Sequence, residues 1–313
     1  MSAVTIEETG FTSSGVRCAA TLYLPDDTAA AGPAVVLGYG FGAIRRMRAE
    51  NFPERFAEAG IVAMAFDYRY WGDSAGQPRQ LLNLRRQLQD WRNAIEFVRS
   101  HPRVDPARVA VWGSSLSGGH VQHLAARDHR LAAAIAQVPL ADGAAATAAG
   151  GVRHALQVAA ASTRDIANCL TGRSRHRMKI FGPQGDWAAM ANAEVVDGYA
   201  RLLPPQPEWD AFGWSNDVPA ARLMLLPMYR PGRRAHRIRC PILYQIADRD
   251  TVTPPAQALR AARRAPRAEV HRYPVGHFDV YQNPAFEQLV NTQIDFLRRH
   301  LTSDAAHTAA EKG

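Results

Sequence analysis

A serine flanked by small residues occupies a turn between a predicted strand and a predicted helix. The apolar run at residues 109–112 predicts a strand, and a helical pattern begins at residue 118. A sharp strand-to-helix turn can hold a serine in a strained backbone conformation only where the residues two before and two after it are small. Ser115 meets this requirement, because Gly113 and Ser117 occupy those positions. The chemistry that such a turn supports is attack by the serine hydroxyl on a carbonyl carbon.

Two neighbouring serines are alternatives to Ser115. Ser114 would place Trp112 and Leu116 at the positions that need small residues, so the bulk of those neighbours excludes it. Ser117 passes on size, but it would leave four extra residues between the strand and the turn. A turn without chemistry is the plain alternative, and the strand-to-helix position favours the nucleophile. There the hydroxyl stands above the carboxyl edge of the sheet, where a helix N-terminus favours developing negative charge.

A histidine near the end of the chain is the predicted base, since serine attacks efficiently only when a base removes its proton. His277 lies in the loop at residues 274–278, between the last predicted strand and the last predicted helix. This order places the imidazole at the same sheet edge as Ser115. His120 and His123 lie along the helix that follows the turn, so they are interpreted as structural residues.

The predicted acid is Asp250, which would fix the tautomer of the imidazole and stabilise its protonated form. Asp250 follows the strand predicted at residues 241–246. Asp248 comes sooner after that strand and is interpreted as a turn cap, while Asp142, after the preceding strand, is a weaker substitute. The order serine, aspartate, histidine along the chain agrees with turns of this type.

Two backbone N–H groups would have to face the oxygen that becomes negative during the attack. One is predicted to come from Leu116, directly after the serine, and the other from Phe41 in the glycine-rich loop at residues 38–42. Glycines on both sides of Phe41 let the backbone approach a substrate closely. Nucleotide binding is the alternative, but the G-x-G-x-G spacing lacks both the dinucleotide pattern and the Lys-Ser/Thr of a phosphate loop. No cofactor is therefore predicted, and isolated cysteines without an H-E-x-x-H pair predict no metal site.

The order of predicted elements explains how these distant residues would meet at one edge. An opening hairpin at residues 4–24 is followed by strand runs that alternate with helical runs. Alternation of this kind predicts an α/β architecture, with a mostly parallel central sheet flanked by helices.

The alternation lapses in the middle of the chain, which divides the predicted architecture into parts. Residues 140–237 show helical stretches without a convincing strand, and they are predicted to form a helical cap. The core domain would then consist of residues 1–139 and 238–301. Residues 302–313 are predicted to form a flexible tail.

Composition excludes several classes of protein. The net charge is +8 and the isoelectric point is about 9.8, but the arginines are dispersed. Their densest run, residues 173–179, lacks interleaved aromatic residues that stack on bases, so no nucleic-acid partner is predicted. The first ten residues have no basic start or apolar run, and no stretch reaches the roughly 20 apolar residues of a membrane helix. Neither a signal peptide nor membrane association is expected, and three isolated cysteines predict a cytoplasmic protein.

With these residues in place, residues 1–301 resemble the α/β-hydrolase superfamily. The resemblance rests on the glycine-rich loop at 38–42, the FDYR and GDS segments at 66–69 and 72–74, the turn at 113–119, the acid loop at 250–254 and the GHF segment at 276–278. A narrower similarity to esterase-like hydrolases, which include polyketide-pathway hydrolases and acyltransferases and acetyl-xylan-esterase-like proteins, rests on residues 112–120, 229–233 and 274–281. Two positions depart from the superfamily pattern: Tyr39 replaces a usual histidine, and Ser117 replaces the second glycine of the turn.

The resemblance implies a two-step acyl transfer, in which His277 deprotonates Ser115, an acyl-enzyme forms, and water releases the acid. The expected partner is a small apolar acyl substrate, namely an ester, lactone or thioester, and a homodimer is left open. Acyl transfer to another acceptor, peptide or amide cleavage, and a non-catalytic binding role are the alternatives. The side chains considered for an acyl pocket in the cap, where packing is the simpler role, are Trp187, Trp209, Phe212, Trp214, Met224, Leu225, Leu226, Met228 and Tyr229.

Overall fold

The computed structural model describes residues 4–26, 31–47, 51–203 and 213–301. Its strands are, in chain order, β1 (Val4–Ser13), β2 (Val16–Pro25), β3 (Gly32–Gly38), β4 (Val62–Phe66), β5 (Val104–Ser114), β6 (Ala133–Gln137), β7 (Arg177–Phe181), β8 (Ala188–Met190), β9 (Val218–Pro219), β10 (Ile242–Ala247) and β11 (Ala268–Tyr273). Its α-helices are α1 (Asn51–Glu58), α2 (Leu84–Arg99), α3 (Leu116–Ala125), α4 (Gly143–Ala149), α5 (Gly151–Leu170), α6 (Val195–Leu202), α7 (Pro255–Ala262) and α8 (Ala285–Leu301). Short 3-10 helices span Ala220–Met228, Pro231–Arg237 and Asp279–Tyr281.

Eight strands form the central sheet, in the order β1-β2-β4-β3-β5-β6-β10-β11. The predicted opening hairpin is confirmed, because β1 pairs antiparallel with β2 through a turn at Ser14 and Gly15. β2 is also antiparallel to β4, and the remaining pairs are parallel. β4 and β6 are buried at every position, as expected for parallel strands covered on both faces. The predicted mostly parallel sheet flanked by helices is confirmed.

Two apolar layers cover the sheet. On one face, α1 and α8 contribute Phe52 and Phe286 to a cluster around Trp112. On the other face, α2 and α3 contribute Trp91 and Val121. The buried residues of α2 recur every three or four positions, which is the period of one helix face. The loops after β3, β5, β10 and β11 emerge at the carboxyl edge of the sheet, where ligands of open α/β sheets bind.

The segment between β6 and β10, called the insert here, differs from its prediction. It carries α4, α5, α6, two of the 3-10 helices and a second sheet in the order β8-β7-β9. The prediction that this region lacks a strand was wrong, because strands of five, three and two residues are too short to show a clear period. The boundaries of core and cap at 139/140 and 237/238 remain predictions. The predicted tail at 302–313 lies outside the described residues.

The state of the cysteines and the length of the helices relate to the predicted compartment and to the predicted absence of a membrane helix. Cys18 and Cys240 are buried, Cys169 is exposed, and all three are free thiols. Burial raises the pKa of Cys18 and Cys240 to about 12, so both thiols stay protonated near neutral pH. Among the helices in the described ranges, none is long and apolar enough to cross a bilayer. The cytoplasmic location remains a prediction.

Candidate active site

Ser115 occupies a tight turn between β5 and α3. β5 ends at Ser114 and α3 begins at Leu116, so a single residue makes the turn. Ser115 has φ 58° and ψ −121°, a backbone conformation that residues other than glycine rarely adopt. Its N–H donates to Gln137 at 3.0 Å and its carbonyl accepts from Leu140 at 2.8 Å, so the neighbouring loop fixes this conformation.

The small residues around the turn have a steric reason. A Cβ atom at Gly113 would lie 2.3 Å from the carbonyl oxygen of Ser117.

The side chains of the two alternative serines are engaged elsewhere. Ser114 Oγ lies 2.6 Å from the hydroxyl of Tyr281, and the buried Ser117 hydroxyl donates to the carbonyl of Tyr39. Ser115 is therefore the serine that the turn presents at the sheet edge.

The structure joins the three predicted side chains in one hydrogen-bonded chain. His277 Nε2 lies 3.0 Å from Ser115 Oγ, and His277 Nδ1 lies 2.7 Å from Asp250 Oδ2. The side chains of His277 and Asp250 are only 3% and 2% exposed. These distances allow proton transfer from the hydroxyl to Nε2 while the carboxylate holds the opposite nitrogen.

The alternative acids and bases have other partners. Asp248 pairs with Arg272 at 2.8 Å, and Asp142 caps α4 by accepting from the N–H groups of its first turn. His120 is buried, with Nδ1 2.8 Å from the Tyr229 hydroxyl and Nε2 3.0 Å from Gln87. Burial lowers the pKa of His120 to about 3, so its ring stays neutral and serves packing and hydrogen bonding.

The loop after β10 fixes the orientation of the Asp250 carboxylate. Oδ1 accepts from the N–H groups of Val252 at 2.8 Å and Thr253 at 2.7 Å. The hydroxyl of Thr253 lies 2.8 Å from Oδ2, the oxygen that faces His277. With Oδ1 occupied by two backbone donors, Oδ2 is the oxygen left for the imidazole.

Electrostatics at His277 favour the protonated ring. Burial has the largest single influence on the pKa of His277 and lowers it, but the carboxylates of Asp250 and Glu194 outweigh burial. The net pKa of His277 is raised above its ordinary value of 6.5. An imidazole with such a pKa is able to accept a proton near neutral pH.

The glycine-rich loop after β3 is tied down at every carbonyl from residue 39 to residue 42. The donors are Ser117 Oγ to Tyr39, Ala43 N to Gly40 at 3.2 Å, the Tyr199 hydroxyl to Phe41, and Trp214 Nε1 to Gly42 at 2.7 Å. A trans peptide is planar, so fixing the Gly40 carbonyl also fixes the opposite direction of the Phe41 N–H. The Ser117 hydroxyl at the usual glycine position thus anchors the loop at Tyr39, the other position that departs from the superfamily.

Two backbone donors are suitably placed beside the serine. A Cβ atom at Gly40 would lie 2.9 Å from Ser115 Cβ, so the loop backbone passes directly against Ser115. Within the described residues, the Phe41 N–H has no acceptor. The Leu116 N–H is in the first turn of α3, where N–H groups have no partner inside the helix. Both donors remain open to an oxygen bound at Ser115.

An apolar cavity of about 280 Å³ lies beside Ser115. Its lining comes from the loop of Phe41, the turn at residues 113–119 (called the elbow here), the loop after β10, and the insert, including the small side chains of Ala155 and Ala159 on α5. Its polar lining residues include Thr147, His154, Asn192 and Thr253. None of the residues that line this cavity in the described part of the chain is acidic.

The aromatic, Met and Leu residues considered for the acyl pocket lie in several different places. Met224 and Leu226 line the cavity, whereas Leu225, Met228 and Tyr229 face a separate arginine-rich cleft. Trp187 is 54% exposed and does not line the cavity. Trp214 is buried and anchors the glycine-rich loop, as described above. Trp209 and Phe212 lie outside the described residues.

Sequence reasoning missed the contributions of the insert to this site. Glu194 contacts the loop of His277 and Tyr199 contacts the loop of Phe41, yet neither stands in a recognisable motif. Within the described ranges, no group of three or more His, Cys, Asp or Glu side chains is arranged to hold a metal ion.

The sheet and the strained elbow serine define the class of protein: a serine-hydrolase-type α/β hydrolase. Residues 14–274 match the family described as X-Pro dipeptidyl-peptidase (S15 family), and the chain belongs to this family. It is 40% identical over 293 residues to the quorum-quenching protein AidA of Acinetobacter baumannii, covering 92% of this chain and 93% of the relative.

A second relative and a solved structure extend these comparisons, and the solved structure shows the fold. The polyketide transferase ATR5 of Stachybotrys chlorohalonatus is 26% identical over 294 residues, covering 86% of this chain and 90% of the relative. The crystal structure of the α/β hydrolase GrgF from Penicillium sp. sh18 aligns with a TM-score of 0.77 at 22% identity, covering 95% of this chain and 99% of that one. The predicted resemblance to the α/β-hydrolase superfamily, and within it to polyketide-pathway enzymes, is confirmed.

Proposed function

We propose that the protein hydrolyses a carboxylic ester, lactone or thioester with an apolar acyl group, through an acyl-enzyme on Ser115. The observation that carries this proposal is the hydrogen-bonded chain from Ser115 through His277 to Asp250, next to an apolar cavity. A nucleophile, a base and an acid in hydrogen-bond reach, with open backbone donors, are the parts that acyl transfer requires.

The reaction would proceed in two halves. His277 Nε2 accepts the hydroxyl proton while Ser115 Oγ attacks the carbonyl carbon, and the carbonyl oxygen takes up the electron pair. The N–H groups of Phe41 and Leu116 stabilise that oxyanion. The electron pair of the oxyanion then re-forms the carbonyl, and the bond from carbon to the leaving oxygen or sulfur breaks. The imidazolium protonates that leaving atom, and the acyl group remains bonded to Ser115. Water repeats the same steps on the acyl-enzyme and releases the acid.

The cavity favours an apolar acyl group over a charged one. Each buried methylene contributes about 0.8 kcal/mol, and the insert supplies mostly Ala, Val, Leu and Met side chains to the lining. The insert would in this way act as the cap predicted for residues 140–237. The names of the relatives, a quorum-quenching protein and a polyketide transferase, are compatible with apolar acyl compounds as substrates.

Acyl transfer to an acceptor other than water is the second candidate, and the similarity to a polyketide transferase favours it. Product analysis with added alcohols or amines separates transfer from hydrolysis. Peptide cleavage is less favoured, although the family description names a dipeptidyl-peptidase. A free amino terminus needs an anionic anchor, and the described cavity lining holds no carboxylate.

The proposal is tested with a fluorophosphonate probe and a substrate panel. We expect the probe to label Ser115 stoichiometrically, and p-nitrophenyl esters to turn over at least about 100-fold faster than matched peptide anilides. Mass spectrometry of the labelled peptide identifies the serine. An unlabelled protein, or one that cleaves only the anilides, would contradict the proposed function.

A bulky side chain in the cavity should shorten the preferred acyl chain. Ala159→Trp fills the wall contributed by α5, so kcat/KM for p-nitrophenyl octanoate should fall about 10- to 100-fold, the equivalent of two to three lost methylene contacts. The acetate ester should be affected much less. Ala160→Trp is the matched control, since Ala160 is exposed and does not line the cavity. Equal effects of the two variants on octanoate would place the acyl chain elsewhere.

A further inference from the structure

One carboxylate of the insert contacts both loops that carry the base and the acid. Glu194, directly before α6, accepts at Oε1 from the N–H and from the hydroxyl of Thr251, each at 2.7 Å. Its Oε2 accepts from the N–H of His277, also at 2.7 Å. Thr251 directly follows Asp250, so Glu194 joins the loop after β10 to the loop after β11.

The chain is shaped to let this carboxylate approach. A Cβ atom at Gly276 would lie 2.5 Å from Glu194 Oε2, so a side chain at residue 276 would displace the carboxylate. Asn192 adds a second bond from the insert to the acid loop, from Nδ2 to the Thr251 carbonyl at 2.7 Å. The glycine before the catalytic histidine therefore has a specific steric role, which is to admit Glu194.

The rest of α6 packs against the same loops. A Cβ atom at Gly198 would lie 2.2 Å from the ring of Phe278, so this helix lies flush against the residue after His277. Arg201 pairs with Asp279 at 3.0 Å, and the Tyr199 hydroxyl donates to the Phe41 carbonyl. This short helix and the glutamate directly before it thus reach the loops of Asp250, His277 and Phe41.

We propose that Glu194 is a positioning residue of the reaction, whose two carboxylate oxygens hold the Asp250 loop and the His277 loop in register. This inference rests on the proposed function and deepens it. The core supplies the reacting groups, and the insert completes their geometry as well as lining the acyl cavity. A displacement of about 1 Å at such a site can reduce turnover on the order of 100-fold.

The charges around His277 make the role of Glu194 measurable. Asp250 and Glu194 are the carboxylates that raise the pKa of His277 against the effect of burial. Asp279, on the same loop, accepts from the Gly276 N–H, and Arg201 and Arg249 lie close enough to lower its pKa. Tyr281 is buried and its pKa is raised, so it stays neutral. Removing the charge of Glu194 should therefore move the titration of His277 toward lower pH.

Glu194→Gln is the central variant. An amide has one acceptor oxygen and one donor NH₂ group, so it cannot satisfy the N–H groups of both Thr251 and His277. We expect kcat for an ester to fall about 10- to 100-fold with little change in KM. In the wild type, kcat should rise with pH through a midpoint above 6.5, because only neutral His277 acts as the base. In the variant that midpoint should move to lower pH.

Two further variants separate positioning from general damage. Glu194→Asp keeps the charge but is shorter, so it should lower the plateau of kcat while leaving the midpoint near that of the wild type. Asp197→Asn removes an exposed charge three residues further along, and it should change neither quantity. Circular dichroism verifies the fold of each protein.

The outcomes distinguish this inference from the proposed function. A wild-type protein that the fluorophosphonate probe does not label would remove the function itself. A labelled wild type with Glu194→Gln at the wild-type plateau, or with an unmoved midpoint, would overturn the positioning role alone. If Glu194→Gln does not fold, the inference stands on Glu194→Asp, and an unchanged kcat in that variant overturns it.

Discussion

Ser115→Ala is expected to reduce ester hydrolysis by on the order of 10⁴- to 10⁶-fold in kcat and to leave the fold intact. The variant loses the proposed nucleophile, and the hydrogen bond between the Ser115 hydroxyl and His277 contributes little to a fold of this size. Binding of substrate should persist, because the cavity and the backbone donors are unchanged. The measurement is single-turnover hydrolysis of a p-nitrophenyl ester together with thermal unfolding.

Ser115→Gly provides the matched control for the backbone. It should be equally inactive, but glycine adopts a φ of 58° without the strain that a Cβ atom imposes. The glycine variant should therefore unfold at a higher temperature than the alanine variant, by the equivalent of about 1 kcal/mol after the added freedom of the unfolded chain is deducted. Retained turnover in either variant would mean that another nucleophile performs the reaction.

The three hydrogen-bonded residues of the candidate site could be predicted from the sequence because each depends on a local pattern. The elbow needs small residues around Ser115, and this requirement is visible within seven positions of the chain. His277 and Asp250 each follow a strand of the parallel sheet, and the carboxyl ends of parallel strands share one edge. The order of the strands therefore predicts that these loops lie at one edge, and this prediction requires no information about side-chain contacts.

The insert could not be predicted in the same way, because its structure depends on contacts between distant segments. β7 pairs with the two-residue strand β9, about 40 positions later, and neither shows a period by itself. In the sequence, Glu194 cannot be distinguished from other glutamates that precede helices. Its role depends on a hydrogen bond to the distant loop of His277, which only the structure shows. Trp214 is large and aromatic, as pocket residues often are, but its indole N–H donates a hydrogen bond to the Gly42 carbonyl.

Asp250→Asn should strongly reduce activity although it keeps the shape of the site. Oδ1 accepts from two backbone N–H groups, so the amide oxygen of asparagine will take that position and the NH₂ group will face His277. His277 Nδ1 must then accept a hydrogen bond, which places the ring proton on Nε2. Nε2 would donate to Ser115 instead of taking its proton, and kcat should fall about 10⁴-fold with little change in KM.

Asp248→Asn is the control that decides whether this loss is specific. Asp248 precedes Asp250 by two residues and is the rival acid, yet it pairs with Arg272 at the surface. Its replacement removes the same charge from the same loop without touching the imidazole, so kcat should stay within about twofold of the wild type. If both variants lose activity equally, the general charge of the loop matters rather than the tautomer of His277. If only Asp250→Asn fails, the direction of a single hydrogen bond separates an active base from an inactive one.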